Sequence, residues 1–195
     1  ETLGGIKTDY KYIIKYLEDL IKQNDLKPQL VCYDPHNASA FLSDLEALAD
    51  IIIIDTGAGI SPSVMEFLLS SPETIIVTTP EPTSVTDSYA LLKALSMNEN
   101  YKSEECTIRM VANRVDSESE GKNLYAVVTQ FLGINMEYLG SVPQDSTVRK
   151  AVMKQKPVTI VYPNSFAARH FRYIAEELLG NEGDAPMHKK GIRSY

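Results

Sequence analysis

The stretch Ile51-Ile52-Ile53-Ile54-Asp55-Thr56-Gly57-Ala58-Gly59 decides how the rest of the chain is read. Four consecutive isoleucines show no alternation of apolar and polar residues. A strand made of them predicts helices over both of its faces, the habit of parallel sheets. Burying one isoleucine side chain is worth about 1.5–3 kcal/mol, which places this strand at the centre of the expected core. A carboxylate and two glycines follow directly, where the strand ends and its loop begins.

Outward from that strand, helical and extended patterns alternate. On its N-terminal side Tyr10, Ile13, Ile14, Leu17, Leu20 and Ile21 recur at three- and four-residue steps, with Lys11, Lys15, Glu18 and Lys22 between them. That spacing predicts an amphipathic helix, closed by Pro28. Residues 30–33 read as a strand and 40–49 as a second helix. On the C-terminal side Ser61-Pro62 supplies an N-cap and a first-turn proline for a helix through Leu69. Further strands are predicted over 74–79, 107–112, 136–139 and 158–161. Helices are predicted over 85–95 (with Ser84 and Asp87 as a capping box), 124–132, 148–153 and 166–179. Regular βα alternation predicts an α/β fold, doubly wound, with a mainly parallel sheet and helices on both faces. Residues 1–180 are expected to form one domain and 181–195 a flexible polar tail.

Composition narrows the function classes. A length of 195 residues suits one domain or one domain with an attachment. Hydrophobic residues at 44% and charged ones at 23% exclude a disordered chain. Nineteen Lys and Arg against 26 Asp and Glu leave a net charge of −7. This argues against a nucleic-acid binder working through bulk charge, because counterion release needs clustered cations, although a small basic face can hide in the average. Cys32 and Cys106 stand far apart with no CxxC and no histidine at ligand spacing, so they read as reduced thiols of a cytoplasmic protein. His36, His170 and His188 each stand alone, without metal-ligand company. The longest aliphatic run is the four isoleucines, far short of a spanning helix, and no signal peptide is visible.

In an open α/β sheet ligands bind beyond the carboxyl ends of the strands. The loops there are Asp55-Thr56-Gly57-Ala58-Gly59, Pro80-Glu81-Pro82-Thr83-Ser84, Asn113-Arg114-Val115 and Gly140-Ser141-Val142-Pro143-Gln144-Asp145. A carboxylate held at a rigid strand end suits Mg²⁺, which prefers one or two carboxylates plus waters and phosphate oxygens. Gly57 and Gly59 let backbone N–H groups approach a terminal phosphate. The same pattern also serves an aspartate that only ends a strand and caps its turn. Asn113 offers a purine edge both a donor and an acceptor. Asp-Thr-Gly-Ala after an aliphatic strand is, in addition, the signature of aspartic proteases, where two carboxylates share a proton. A single copy in a helix-rich chain argues against that reading.

Taken together, residues 51–61, the segment from Val77 to Leu91, Val111-Ala112-Asn113-Arg114-Val115, and Tyr138-Leu139-Gly140 with Val142-Pro143-Gln144-Asp145 resemble the MinD/ParA-type deviant-Walker ATPases. The nearest likeness is to the flagellar-number regulator branch known as FlhG, FleN or YlxH. The resemblance covers about residues 50–180 and implies a P-loop NTPase-like fold, ATP and Mg²⁺ as cofactors, and ATP-dependent dimerisation. It also implies a flagellar assembly factor as protein partner and a role in flagellar placement or number. By the same resemblance Asp55 holds Mg²⁺ through water, and Gly57 and Gly59 sense the terminal phosphate. Asn113 binds the adenine edge with Arg114 beside it, and the loop from Pro143 to Asp145 lines the base pocket.

One departure stands out: no G-x-x-x-x-G-K-[ST] occurs in these residues. Gly4-Gly5-Ile6-Lys7-Thr8 resembles a remnant of that loop, and its register would bring Asp34 near the phosphates, but a glycine and most of a first strand are missing. The expectation is an N-terminally incomplete fold that hydrolyses ATP poorly on its own, since the nest of amides and the lysine neutralise triphosphate charge. The alternative is a non-hydrolysing interaction domain that kept the sheet and lost the phosphate loop. Tyr10, Tyr12 and Tyr16 among lysines read as helix packing with solvated cations rather than a partner surface. In the family a C-terminal amphipathic helix attaches to membranes; residues 180–195 lack an apolar stripe, so no stable anchoring is expected from them.

Overall fold

The computed structural model describes residues 30–33, 51–130 and 134–180. The helices expected over 10–21 and 40–49, the Gly4–Thr8 register, Asp34, His36, His188 and the tail lie outside them. The described residues belong to two compact units, divided between Ser70 and Ser71, each taken by itself.

In the first unit β1 (Leu30–Tyr33) pairs in parallel with β2 (Ile51–Ile54), from Leu30 opposite Ile51 to Tyr33 opposite Ile54. Helix α1 (Pro62–Ser70) follows. The capping expectation holds: the Val64 N–H donates to Ser61 Oγ at 3.4 Å and the Met65 N–H to Ser61 O at 3.0 Å. Val64, Phe67 and Leu68 form its buried stripe. The four isoleucines are less enclosed than expected, for Ile53 is 48% exposed and the other three are half-buried. Among the described residues β2 has a neighbour on one side only.

In the second unit the central strand is β4 (Thr107–Val115), which pairs in parallel with β3 (Glu73–Thr78) on one side and β5 (Met136–Pro143) on the other. Ile108, Met110, Ala112 and Val115 are at most 1% exposed. At the start of the sheet Arg109 ties all three strands together, its Nη1 2.6 Å from Glu73 and its Nε 3.0 Å from Glu137. Opposite charges on neighbouring strands favour this register over a slipped one. The crossovers are α2 (Pro82–Ser96) and α3 (Glu118–Thr129), and α4 (Ser146–Met153), α5 (Val158–Val161) and α6 (Phe166–Gly180) follow the last strand.

Helices cover both faces, as parallel pairing predicts. On one, Ala167 and Ile174 of α6 pack with Val111, Leu139 and Val142. On the other, α3 lies so close that a Cβ on Gly121 would stand 2.4 Å from the Tyr138 hydroxyl oxygen and 3.3 Å from the Ala112 Cβ. Gly140 has a φ of +152°, open to glycine, at an irregularity in the β4–β5 register.

Several boundaries differ from expectation. Helix α2 begins at Pro82, so Ser84 is no cap: its hydroxyl bonds Thr78 Oγ1 and accepts from the Thr79 N–H, both at 3.0 Å. Helix α3 begins at Glu118, capped by Ser117, which accepts from the Glu120 N–H. Residues 158–161 form a single helical turn instead of a strand. The run Val-Thr-Ile-Val favours extension, but Pro157 O accepts from both Ile160 and Val161, and Val158 is buried as part of that turn. A β-branched run without a neighbouring strand takes the conformation its packing allows.

Gly121→Ala should destabilise the protein by about 1–3 kcal/mol despite alanine's better helix propensity, because the new methyl overlaps the phenol. Phenylalanine lacks the oxygen that the methyl would meet, so Tyr138→Phe should restore most of the loss. Additive costs in a denaturant double-mutant cycle would contradict this close approach.

Candidate functional site

Parallel strands share a direction, so β3, β4 and β5 deliver their following loops to one end of their sheet. Asn113, Arg114, Pro143 and Asp145 are brought together there. Asn113 is half-buried opposite Val142, and Val115 stands opposite Pro143, leaving Arg114 as an extra residue on β4. Such a bulge re-aims side chains where pairing ends. Arg114 carries it with a φ of 59°, the left-handed region that a long side chain seldom occupies. Backbone strain of this kind gathers at functional sites.

Two side chains hold the bulged segment. Arg114 Nη1 lies 3.0 Å from Glu81 Oε1, and the Thr79 hydroxyl donates to the other oxygen of the same carboxylate. The Gln144 N–H donates to Val115 O at 3.0 Å, joining the β5 loop to the end of β4. Glu81 joins this group only through its contacts. Its place between two prolines marked a turn, but nothing in the pattern connected it with Arg114.

Asp145 does more than line a loop. Its carboxylate accepts from the Thr147 hydroxyl (2.6 Å) and Thr147 N–H (2.8 Å), and from the Ala167 N–H (3.1 Å). One side chain thus caps α4 and also satisfies a free amide in the first turn of α6, where the helix dipole favours negative charge. The Thr147 hydroxyl and backbone bonds, followed by the one from Ala167, hold its carboxyl below the ordinary aspartate range.

In the first unit Asp55 is exposed at the end of β2, and Gly57, Ala58 and Gly59 are exposed after it. Gly59 has a φ of +99°, which a side chain would strain. A Cβ added at Gly57 or Gly59 would meet nothing within 4 Å, so the backbone is open to approach. Among the described residues no three His, Cys, Asp or Glu side chains gather as a metal site. One carboxylate beside accessible amides fits Mg²⁺ that arrives with phosphate and water, not a cation held by protein ligands alone.

A shallow cavity of about 350 Å³ is lined by Glu118, Gly140, Ser141, Arg169, His170 and Tyr173. Among the described residues no helix is long and apolar enough to cross a membrane.

Comparison with known proteins bears on the fold and the family. No protein-family model matches the chain. The antiactivator FleN of Pseudomonas aeruginosa is 38% identical over 140 residues, covering 70% of this chain and 49% of FleN. The flagellum site-determining protein YlxH of Helicobacter pylori is 29% identical over 221 residues, covering all of this chain and 73% of YlxH. Among solved structures, the septum site-determining protein MinD of Pyrococcus horikoshii, complexed with Mg-ADP, matches with a TM-score of 0.59 at 24% identity, over 80% of this chain and 60% of that one. The fold is that of the P-loop NTPases of MinD type. The chain belongs to the MinD/ParA family, beside the flagellar regulators FleN and YlxH. It spans about half the length of FleN.

Asp145→Ala should cost about 1–2 kcal/mol at neutral pH, the usual worth of a lost cap, and Asp145→Asn should cost less because an acceptor remains. The folded carboxyl titrates below its unfolded value of about 3.9. Its contribution is therefore complete above that value and is lost as pH falls through the folded one. Stability curves of the wild type and Asp145→Ala should converge in acid; a gap independent of pH would show that the charge contributes nothing.

Proposed function

We propose that this chain is the nucleotide-handling part of a flagellar placement or number regulator that dimerises when it binds ATP and thereby changes its affinity for an assembly factor. A ligand shifts such an equilibrium only by binding the dimer better than the monomer, and hydrolysis resets it. The observation that carries the proposal is the end of the three-stranded sheet. A half-buried asparagine closes its central strand, beside a strained arginine and between two polar loops. Kinship with FleN and YlxH supports the flagellar setting.

In this reading Asn113 pairs with the adenine edge, Arg114 stands beside the base, and the backbone from Pro143 to Asp145 lines the pocket. The Asp145 carboxylate is already committed to the α4 and α6 amides, so its part is to hold that loop. In the first unit Asp55 would hold Mg²⁺ through water, with Gly57 and Gly59 offering amides toward a terminal phosphate. Bound Mg²⁺ supplies neutralisation of phosphate charge. A cytoplasmic setting follows from such a role.

The missing G-x-x-x-x-G-K-[ST] favours a second reading for these residues by themselves, a partner-binding domain that does not hydrolyse ATP. Calorimetry separates the two. In the protein that carries this chain, Asn113→Ala should weaken ATP about tenfold or more while leaving inorganic triphosphate unaffected, as expected for one or two lost hydrogen bonds to a base. Asp55→Ala should abolish Mg²⁺-dependent turnover with little change in thermal midpoint. ATP binding that neither substitution disturbs would exclude the proposed site, and absence of ATP binding would leave the interaction domain.

A further inference from the structure

The second unit presents a basic surface that the overall charge conceals. Residues 146–175 contain six Lys and Arg and no Asp or Glu, whereas the rest of the chain has thirteen cations against 26 acids. Arg149, Lys150, Lys154, Lys156, Arg169 and Arg172 are all exposed. Among the described residues none of the six is in an ion pair. Large apolar side chains stand between them: Val152, Met153, Ile160 and Phe166 are 64–78% exposed.

These residues occupy one continuous run of packed helices. Helix α4 packs on α5 and α5 on α6, and the Asp145 carboxylate bonds amides at the start of both α4 and α6. Two of the cations rest on aromatic rings, the Lys154 ammonium 5.1 Å from the Tyr162 centroid and the Arg169 guanidinium 4.8 Å from that of Phe166. Arg172 Nη2 donates to Pro163 O at 2.8 Å, which ties α6 to the turn before it. The cations are thus partly ordered before any partner arrives, which lowers the entropy cost of binding.

We infer that the α4–α6 surface docks an acidic protein segment whose Asp or Glu residues flank aliphatic side chains. The charge supports an anionic partner, and a guanidinium over a ring still has N–H edges for bidentate bonds to carboxylate. The four protruding apolar residues need an apolar counterpart, which a phosphate backbone does not offer. A bilayer suits the surface less, because sinking Phe166 into hydrocarbon would carry the Arg169 charge with it. The inference is independent of nucleotide binding.

The probe is a helical peptide of about fifteen residues with Leu at i, i+3 and i+4 spacing and Glu elsewhere, compared with its Lys counterpart. By fluorescence anisotropy with the intact chain, the Glu peptide should bind at least about tenfold more tightly than the Lys peptide and weaken severalfold between about 50 and 300 mM salt. Lys150→Glu with Lys154→Glu should weaken it about tenfold or more, and Ile160→Ser severalfold, at unchanged thermal midpoints. Equal binding of the two peptides, or unaltered binding by the substituted chains, would overturn the inference. So would tighter binding to phosphatidylglycerol-containing vesicles or to a random-sequence DNA duplex than to the Glu peptide.

Discussion

Parallel pairing of β4 with strands on both sides is the constraint from which the second unit follows. A parallel strand cannot return through a hairpin, so every connection crosses a face of the sheet, and helices there are a consequence of connectivity. Both faces of the central strand then lose contact with water, which explains why Ile108, Met110, Ala112 and Val115 are almost fully buried. The same geometry sends three successive loops to one end. Asn113 with Arg114, Glu81, and the loop before α4 thereby meet at that end without being neighbours in sequence.

Charge is used in two ways around this sheet. Where strands begin, Arg109 bridges Glu73 and Glu137, and its side chain is only 16% exposed, so the pairing is less screened than one in open solvent. Where strands end, Arg114 and Glu81 are both largely exposed. A pair of that kind is worth at most about 1 kcal/mol. It orders a strained loop without locking it. Asp145 lies between these extremes: weakly enclosed, yet fixed by three donors and by the N-termini of two helices.

Legibility of the site differed residue by residue. The strand-end positions of Asn113 and Pro143 were recognisable because each follows an apolar run in a chain of βα alternation. The roles of Glu81 and of the Asp145 carboxylate were not, since both depend on partners more than twenty residues away that no local pattern connects. The strand expected over 158–161 shows the opposite error, local preference outweighed by context: four β-branched or aliphatic residues with no strand beside them became a helical turn.

By itself the sequence determined the class of fold, the βα order, the positions of most elements and the loops that carry polar chemistry, because these follow from local periodicity and from the covalent order of the chain. Only the tertiary structure decided which strand is central in the second unit, that Arg114 is bulged and paired with Glu81, and that one carboxylate serves two helices. Those outcomes depend on distances between residues remote in sequence. Such distances are set by packing and by electrostatics across the fold, to which residue order gives no direct access.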